Sequence, residues 1–179
     1  MSIKAEKNKN IKTGQMENFT FEQAYLQYIK PVYIVAYGIL KSREDAEDIA
    51  HDVFLSYFRI GGSERIRNVS AYLLKTARNK ALNYLRKKER EELTDDISDR
   101  AVSVIKINGD DNELSVELEK EILSLTLEER QVFMMHVNAG LGFKQISKIM
   151  EMSVSAVYRK YRSAIRSLRQ ALKGGEYNE

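Results

Sequence analysis

Six residues near the carboxy terminus, Ser155, Tyr158, Arg159, Arg162, Arg166 and Arg169, fall at spacings that place them on one face of a helix. Val154, Val157, Tyr161, Ala164, Ile165, Leu168 and Leu172 fill the opposite face. Arginine presents a planar fork that bonds the edge of guanine or a phosphate with two hydrogen bonds at once. The chemistry on offer is therefore recognition of nucleic acid. Upstream, Ile146, Ile149 and Met150 mark the inner face of a shorter helix. Glu151, Met152 and Ser153 make a tight turn, with Ser153 suited to cap the next helix. A short helix, a turn and a longer helix with a basic outer face form a helix-turn-helix. In such a unit the first turns of the second helix meet base edges and later arginines more often meet phosphates. Ser155, Tyr158, Arg159 and Arg162 are the base-edge candidates, followed by Arg166. An ordinary antiparallel helix pair with a solvated basic face is the plainer alternative, and Tyr158 suits stacking or simple coverage of its neighbours.

A second basic surface lies between residues 59 and 90, where ten lysines and arginines face only Glu64 and Glu89, a net charge of +8. Lys75, Arg78, Lys80, Arg86 and Lys87 alternate there with Tyr72 and Tyr84. Such a face suits single-stranded nucleic acid, because bases stack on aromatics while cations follow the phosphates. Packing against a core is the competing role for both tyrosines. The helix before it, starting from a Ser42 cap, turns Ala46, Ile49, Ala50, Val53, Phe54 and Tyr57 inward and Asp45, Asp48 and Asp52 outward. DNA would repel that acidic face, so it is expected to meet a protein.

Nothing in the chain has the form of a catalytic centre. There is no cysteine, and His51 and His136 stand far apart without ligand spacing around either. No glycine-rich phosphate loop or hydrolase nucleophile motif occurs. Asp45, Glu47, Asp48 and Asp52 lie along an amphipathic helix and do not converge as metal ligands would. No enzyme, metal or cofactor is expected.

The elements that must hold these faces are helical. A single proline, Pro31, and nine glycines among 179 residues are too few for an all-β chain. The expected fold is all-α, with two small helical domains joined by a flexible acidic linker. Residues 1–16 form an amino-terminal tail and 17–92 a first helical domain; Ser70 is expected to cap its last helix. Residues 93–112, rich in Asp and Ser, form the linker, 113–173 a second domain and 174–179 a final tail. Between Glu91 and Glu121 eleven acids outnumber three bases, and between Leu141 and Lys173 eight bases oppose Glu151 alone. Two basic blocks separated by an acidic one point to two polyanion-binding surfaces. No apolar run approaches the roughly 18 residues of a membrane span, and the Lys- and Asn-rich amino terminus lacks the apolar core of a secretory signal.

The order of these motifs resembles a known family. Asp45-Ala46-Glu47-Asp48-Ile49, Asp52-Val53-Phe54, Tyr72-Leu73, Ala77-Arg78-Asn79 and Leu85-Arg86 resemble conserved region two of extracytoplasmic-function sigma factors. Leu125, Arg130, Val132-Phe133, Gly140, Ile146 and Val157 resemble their region four. The resemblance runs from about Asn18 to Leu172. It implies a cytoplasmic factor that binds core RNA polymerase and promoter DNA without inserting into a membrane, with an anti-sigma factor as a further partner that the sequence leaves open. It makes Asp45, Asp48 and Asp52 candidates for the polymerase clamp. The loop Gly61–Asn68, with Arg65, Arg67 and Asn68, and the helix bearing Lys75, Arg78, Asn79, Lys80, Arg86 and Lys87 become candidates for the minus-ten element. Ser155, Tyr158, Arg159, Arg162 and Arg166 become candidates for the minus-thirty-five element. His51 stands where the family usually has Gln, Asn83 for Asp, Thr126 for Pro, Ser147 for Ala and Ser163 for Arg, which marks a divergent member. A helix-turn-helix regulator that does not itself support initiation is the alternative reading.

Overall fold

A computed structural model of the chain describes residues 20–62, 66–92 and 113–174. All regular structure among these residues is helical. Helix α1 (Phe21–Leu40) begins in a capping box, where Thr20 Oγ1 accepts from the Gln23 amide at 3.2 Å and Gln23 Oε1 accepts from the Thr20 amide at 3.0 Å. It ends at Lys41, whose left-handed backbone (φ 58°) turns its amide onto the Tyr37 carbonyl. Pro31 lies inside α1 and removes the hydrogen bond that Gln27 would otherwise accept.

Ser42 caps α2 (Arg43–Arg59) as expected, accepting from the Asp45 amide at 3.3 Å. Gly61 and Gly62 follow with φ of 87° and 62°, the left-handed region where glycine alone is unstrained. Helix α3 (Val69–Glu92) starts two residues earlier than a Ser70 cap would place it. The cap is Asn68, whose Oδ1 accepts from the Ala71 amide at 2.8 Å, while Ser70 is buried inside the first turn. Asn competes with Ser for this role on equal terms, so position relative to the first inward residue, Val69, decides. The three helices bury Ala24, Tyr28, Val32, Val35, Ala46, Val53, Phe54, Tyr57, Leu73, Leu74 and Ala77 among themselves.

The second unit comprises α4 (Glu113–Ser124), α5 (Leu127–Phe133), α6 (Phe143–Met150) and α7 (Val154–Gly174). Helix α5 runs on into one π-helical turn, Met134–Asn138. Its entry is set by Thr126, whose hydroxyl donates to Glu129 Oε2 at 2.7 Å. Gly140 turns the chain with φ 69°, and Glu151 does so at the end of α6 with φ 56°. Ile146, Ile149, Met150, Val157, Ala164 and Leu168 form the core between α6 and α7. Val154 is half exposed, because it opens its helix ahead of the first full inward turn.

The two units pack against each other: α1 meets α5 and the π-helical turn, and α3 meets α6. The cause is visible in α1. Its first half is amphipathic, but Ile34, Val35, Ala36, Tyr37, Gly38 and Ile39 are buried all round, and a helix apolar on every side must be covered on every side. The 93–112 linker, both terminal tails and Arg65 lie outside the described residues.

Candidate nucleic-acid interface

The helix-turn-helix forms as the sequence indicates. Ser153 Oγ accepts from the Ala156 amide at 3.1 Å and starts α7 cleanly. The period of α7 then drives Val157, Ala164 and Leu168 into the core, and the geometry of a helix leaves Ser155, Tyr158, Arg159, Arg162 and Arg166 together on the exposed side. Tyr158 is 48% exposed, so it is available at the surface and not spent in the core.

Its orientation is set by an aromatic group that spacing alone did not reveal. His136 and Phe143 stack with ring centroids 4.4 Å apart. Tyr161 meets the His136 edge at 4.9 Å, and Phe143 meets Tyr158 edge-on at 5.6 Å. His136 is therefore a packing residue, with Nδ1 lying 2.8 Å from the Leu141 carbonyl. Offset and edge-on ring contacts favour one geometry, so the start of the recognition helix rests on a stiff support. Ser163, in place of the family's usual arginine, hydrogen-bonds the Glu129 carboxylate. That bond, with the Thr126 contacts and against the effect of burial, holds Glu129 below the usual carboxylate range.

The second basic face divides in two. Asn79, Arg86 and Lys87 are exposed along α3, and Arg67 and Asn68 are exposed in the loop before it. Lys75 and Arg78 instead point toward the other unit. Lys75 Nζ bonds Glu151 at the turn of the helix-turn-helix, and Arg78 Nε donates to Gln131 Oε1 at 3.2 Å. Burial lowers the Arg78 pKa, while the carboxylates of Glu151 and Glu128 oppose that shift. Tyr72 packs against the core beside Tyr57, and Tyr84 donates to Asp45 Oδ1 at 2.8 Å.

The acidic face of α2 also divides. Asp48 and Asp52 are exposed, with Asp52 Oδ2 3.6 Å from Lys80 Nζ. Asp45 is turned toward α3, with its side chain only 15% exposed and 2.9 Å from Lys88 Nζ. Burial would raise the Asp45 pKa, but the hydrogen bonds from Lys88 and Tyr84 outweigh it and hold the carboxyl below its ordinary value. Leu55 and Phe58, further along α2, add exposed apolar surface.

The least legible polar residues lie between the units. Arg130 is 3% exposed and has carbonyls as its acceptors. Its Nη1 donates to Leu123 O at 3.2 Å and Leu125 O at 2.8 Å, and its Nε donates to Gly38 O at 2.8 Å. Both sets of carbonyls close helix ends, α4 and α1, where unsatisfied C=O groups carry partial negative charge. Burial pushes the Arg130 pKa down to about 10, and it stays a cation at neutral pH. Tyr37 donates to Glu119 Oε1 at 3.2 Å, and burial together with that carboxylate pushes the phenol up. Among the described residues no group of His, Cys, Asp and Glu is arranged to hold a metal ion, and no helix is long and apolar enough to cross a membrane.

Comparison with known proteins agrees with this layout. Residues 24–91 match Sigma-70 region 2, and residues 115–168 match Sigma-70, region 4. A curated relative, the ECF RNA polymerase sigma factor SigM of Bacillus subtilis (strain 168), is 26% identical over 160 residues, covering 86% of this chain and 93% of its own length. A solved structure, the sigma factor RpoE of Bartonella quintana in complex with the anti-sigma factor NepR, shares the fold. Its TM-score is 0.67 at 18% identity, over 86% of this chain and 96% of that one. The two region models together match well over half of the sequence and fall on the two helical units just described, so the chain belongs to the sigma-70 family, in its extracytoplasmic-function group, and directs promoter-specific initiation of transcription.

Proposed function

We propose that three faces divide the work of initiation. The exposed acids of α2, Asp48 and Asp52, dock on core RNA polymerase, with Asp45 bracing α2 against α3 from the flank of the same surface. The loop through Arg67 and Asn68 and the outer face of α3 take the minus-ten element and its opened strand. The outer face of α7 reads the minus-thirty-five element. The observation that carries this reading is the exposed row Ser155, Tyr158, Arg159, Arg162 and Arg166 on the second helix of a helix-turn-helix. The protein acts by binding and makes or breaks no bond itself, and it works in the cytoplasm, where polymerase and promoter are. The Bartonella neighbour is held by an anti-sigma factor; by analogy this chain is also a target for one.

The test is a pair of substitutions, Arg159→Ala and Arg162→Ala, with promoter binding measured across salt concentrations. An arginine bonded to a base edge costs on the order of 1–3 kcal/mol when removed and changes the preferred sequence. One bonded to phosphate weakens all sequences about equally and lowers the salt slope by about one. Unchanged binding in both variants would mean that α7 docks through another face.

A further inference from the structure

Four rings from three elements meet where the helix-turn-helix begins. His136 lies on the π-helical turn, Phe143 opens α6, and Tyr158 and Tyr161 stand three apart on α7, so the two are neighbours on its surface. Phe143 is the ring that touches the other three. It stacks on His136 at 4.4 Å, tilts against Tyr161 at 5.4 Å and meets Tyr158 edge-on at 5.6 Å. His136, Phe143 and Tyr161 are half-buried, whereas Tyr158 is exposed. Three rings already join the turn, α6 and α7; the fourth carries the group out to the face assigned to DNA. We infer that Tyr158 reads the methyl group of a thymine in the minus-thirty-five element, and that Phe143 is the residue that positions it.

The chemistry of the exposed row favours this division. Ser155, Arg159, Arg162 and Arg166 are charged or carry a hydroxyl, and suit base acceptors and phosphates. The thymine methyl is the apolar feature of the major groove, and it accepts no hydrogen bond. Tyr158 offers an apolar ring in the first two turns of α7, the part of a recognition helix that meets base edges. Val154, one turn earlier on the same side, is also half exposed, so the start of α7 presents an apolar strip beside its arginines.

One methyl contact is a small gain, and a ring that swung freely would forfeit much of it in lost side-chain entropy on docking. The contact with Phe143 restricts the ring before DNA arrives, because an edge-on pair favours one arrangement. Phe143 is held in turn by its stack on His136, whose Nδ1 lies 2.8 Å from the Leu141 carbonyl. Support therefore runs from the backbone of the turn, through two rings, to the ring at the groove. Phe143 acts through Tyr158 and is a positioning residue.

The inference rests on the assignment of the outer face of α7 to the minus-thirty-five element. The probe is a minus-thirty-five duplex selected by the full-length protein from random sequence, with each thymine replaced in turn by deoxyuridine, which removes only the methyl group. At one thymine the unmodified protein should lose about fourfold in affinity, the contribution of roughly one buried methyl group. Tyr158→Ala should be indifferent to that replacement, and Tyr158→Phe should keep the fourfold loss. Phe143→Leu, which retains apolar bulk without a ring, should shrink the loss below about twofold, and Phe143→Tyr should restore it. Phe143→Met, flexible enough to fill the same space, takes the place of Phe143→Leu if that variant melts too early to assay. No thymine at which the unmodified protein loses affinity, a loss that survives in Tyr158→Ala, or a Tyr158→Phe variant that behaves like Tyr158→Ala overturns the methyl reading. A ring-less Phe143 variant that weakens every duplex equally and keeps the fourfold loss overturns the positioning role. Failure of the underlying assignment looks different: Arg159→Ala and Arg162→Ala would then bind the selected duplex as tightly as the unmodified protein.

Discussion

Asp48→Lys is expected to abolish association with core polymerase, and with it transcription, while the protein stays folded. Asp48 is exposed on α2, and the helix is held by Ile49, Val53 and Phe54, all buried on the opposite side. A charge change on such a surface usually moves stability by no more than about 0.5 kcal/mol. At an interface built on opposite charge, reversal brings like charges together and costs several kcal/mol. Asp48 is the informative position because Asp45 is bonded to Lys88 and Tyr84, so its reversal would confuse lost internal contacts with lost docking. Two measurements on the variant check this: its melting temperature and its co-purification with core polymerase. A folded variant that binds core normally removes α2 from the polymerase interface.

Arg130→Ala should produce the largest loss of stability of any single polar substitution in the second unit. Removing a buried guanidinium leaves the carbonyls of Gly38, Leu123 and Leu125 without the donor they share. Each unsatisfied buried group costs about 1–3 kcal/mol, so a total of about 3–5 kcal/mol is expected after partial rehydration. In a protein of this size, that lowers the melting temperature by roughly 6–20 °C. Lysine should rescue little, since a single ammonium cannot reach acceptors spread around a planar fork. A shift of less than about 1 kcal/mol in thermal or denaturant unfolding would show that water replaces the guanidinium easily. The same substitution cannot isolate the contact between the units, because Arg130 also ties the end of α4 to α5 within its own unit.

Much of the architecture was legible because each helix carries a local signal. Ser42 and Ser153 announce their helices as caps, and Gly61-Gly62 and Gly140 announce turns by their freedom at positive φ. The face of α7 followed from its period. Asn68 and Ser70 both suit an N-cap, and only the inward turn of Val69 chose between them. Asp45 looked equivalent to Asp48 and Asp52 because helical spacing groups the three, yet the neighbouring helix α3 supplies Lys88 and Tyr84 to one of them only. The contact between units was the hardest to read. Arg130 and Gln131 look like surface residues by type, and their burial depends on a helix more than ninety positions away. The one signal for it was the unbroken apolar stretch from Ile34 to Ile39, too continuous for a helix covered on one side.

The most direct test of the account is run-off transcription with purified full-length protein, core polymerase and templates carrying a promoter selected by the protein itself. The expected result is a discrete transcript that requires this protein, disappears when either promoter element is scrambled, and is lost in Asp48→Lys. A folded protein that binds the promoter but yields no transcript with core polymerase would contradict it, and would leave a helix-turn-helix regulator built on a sigma-factor frame.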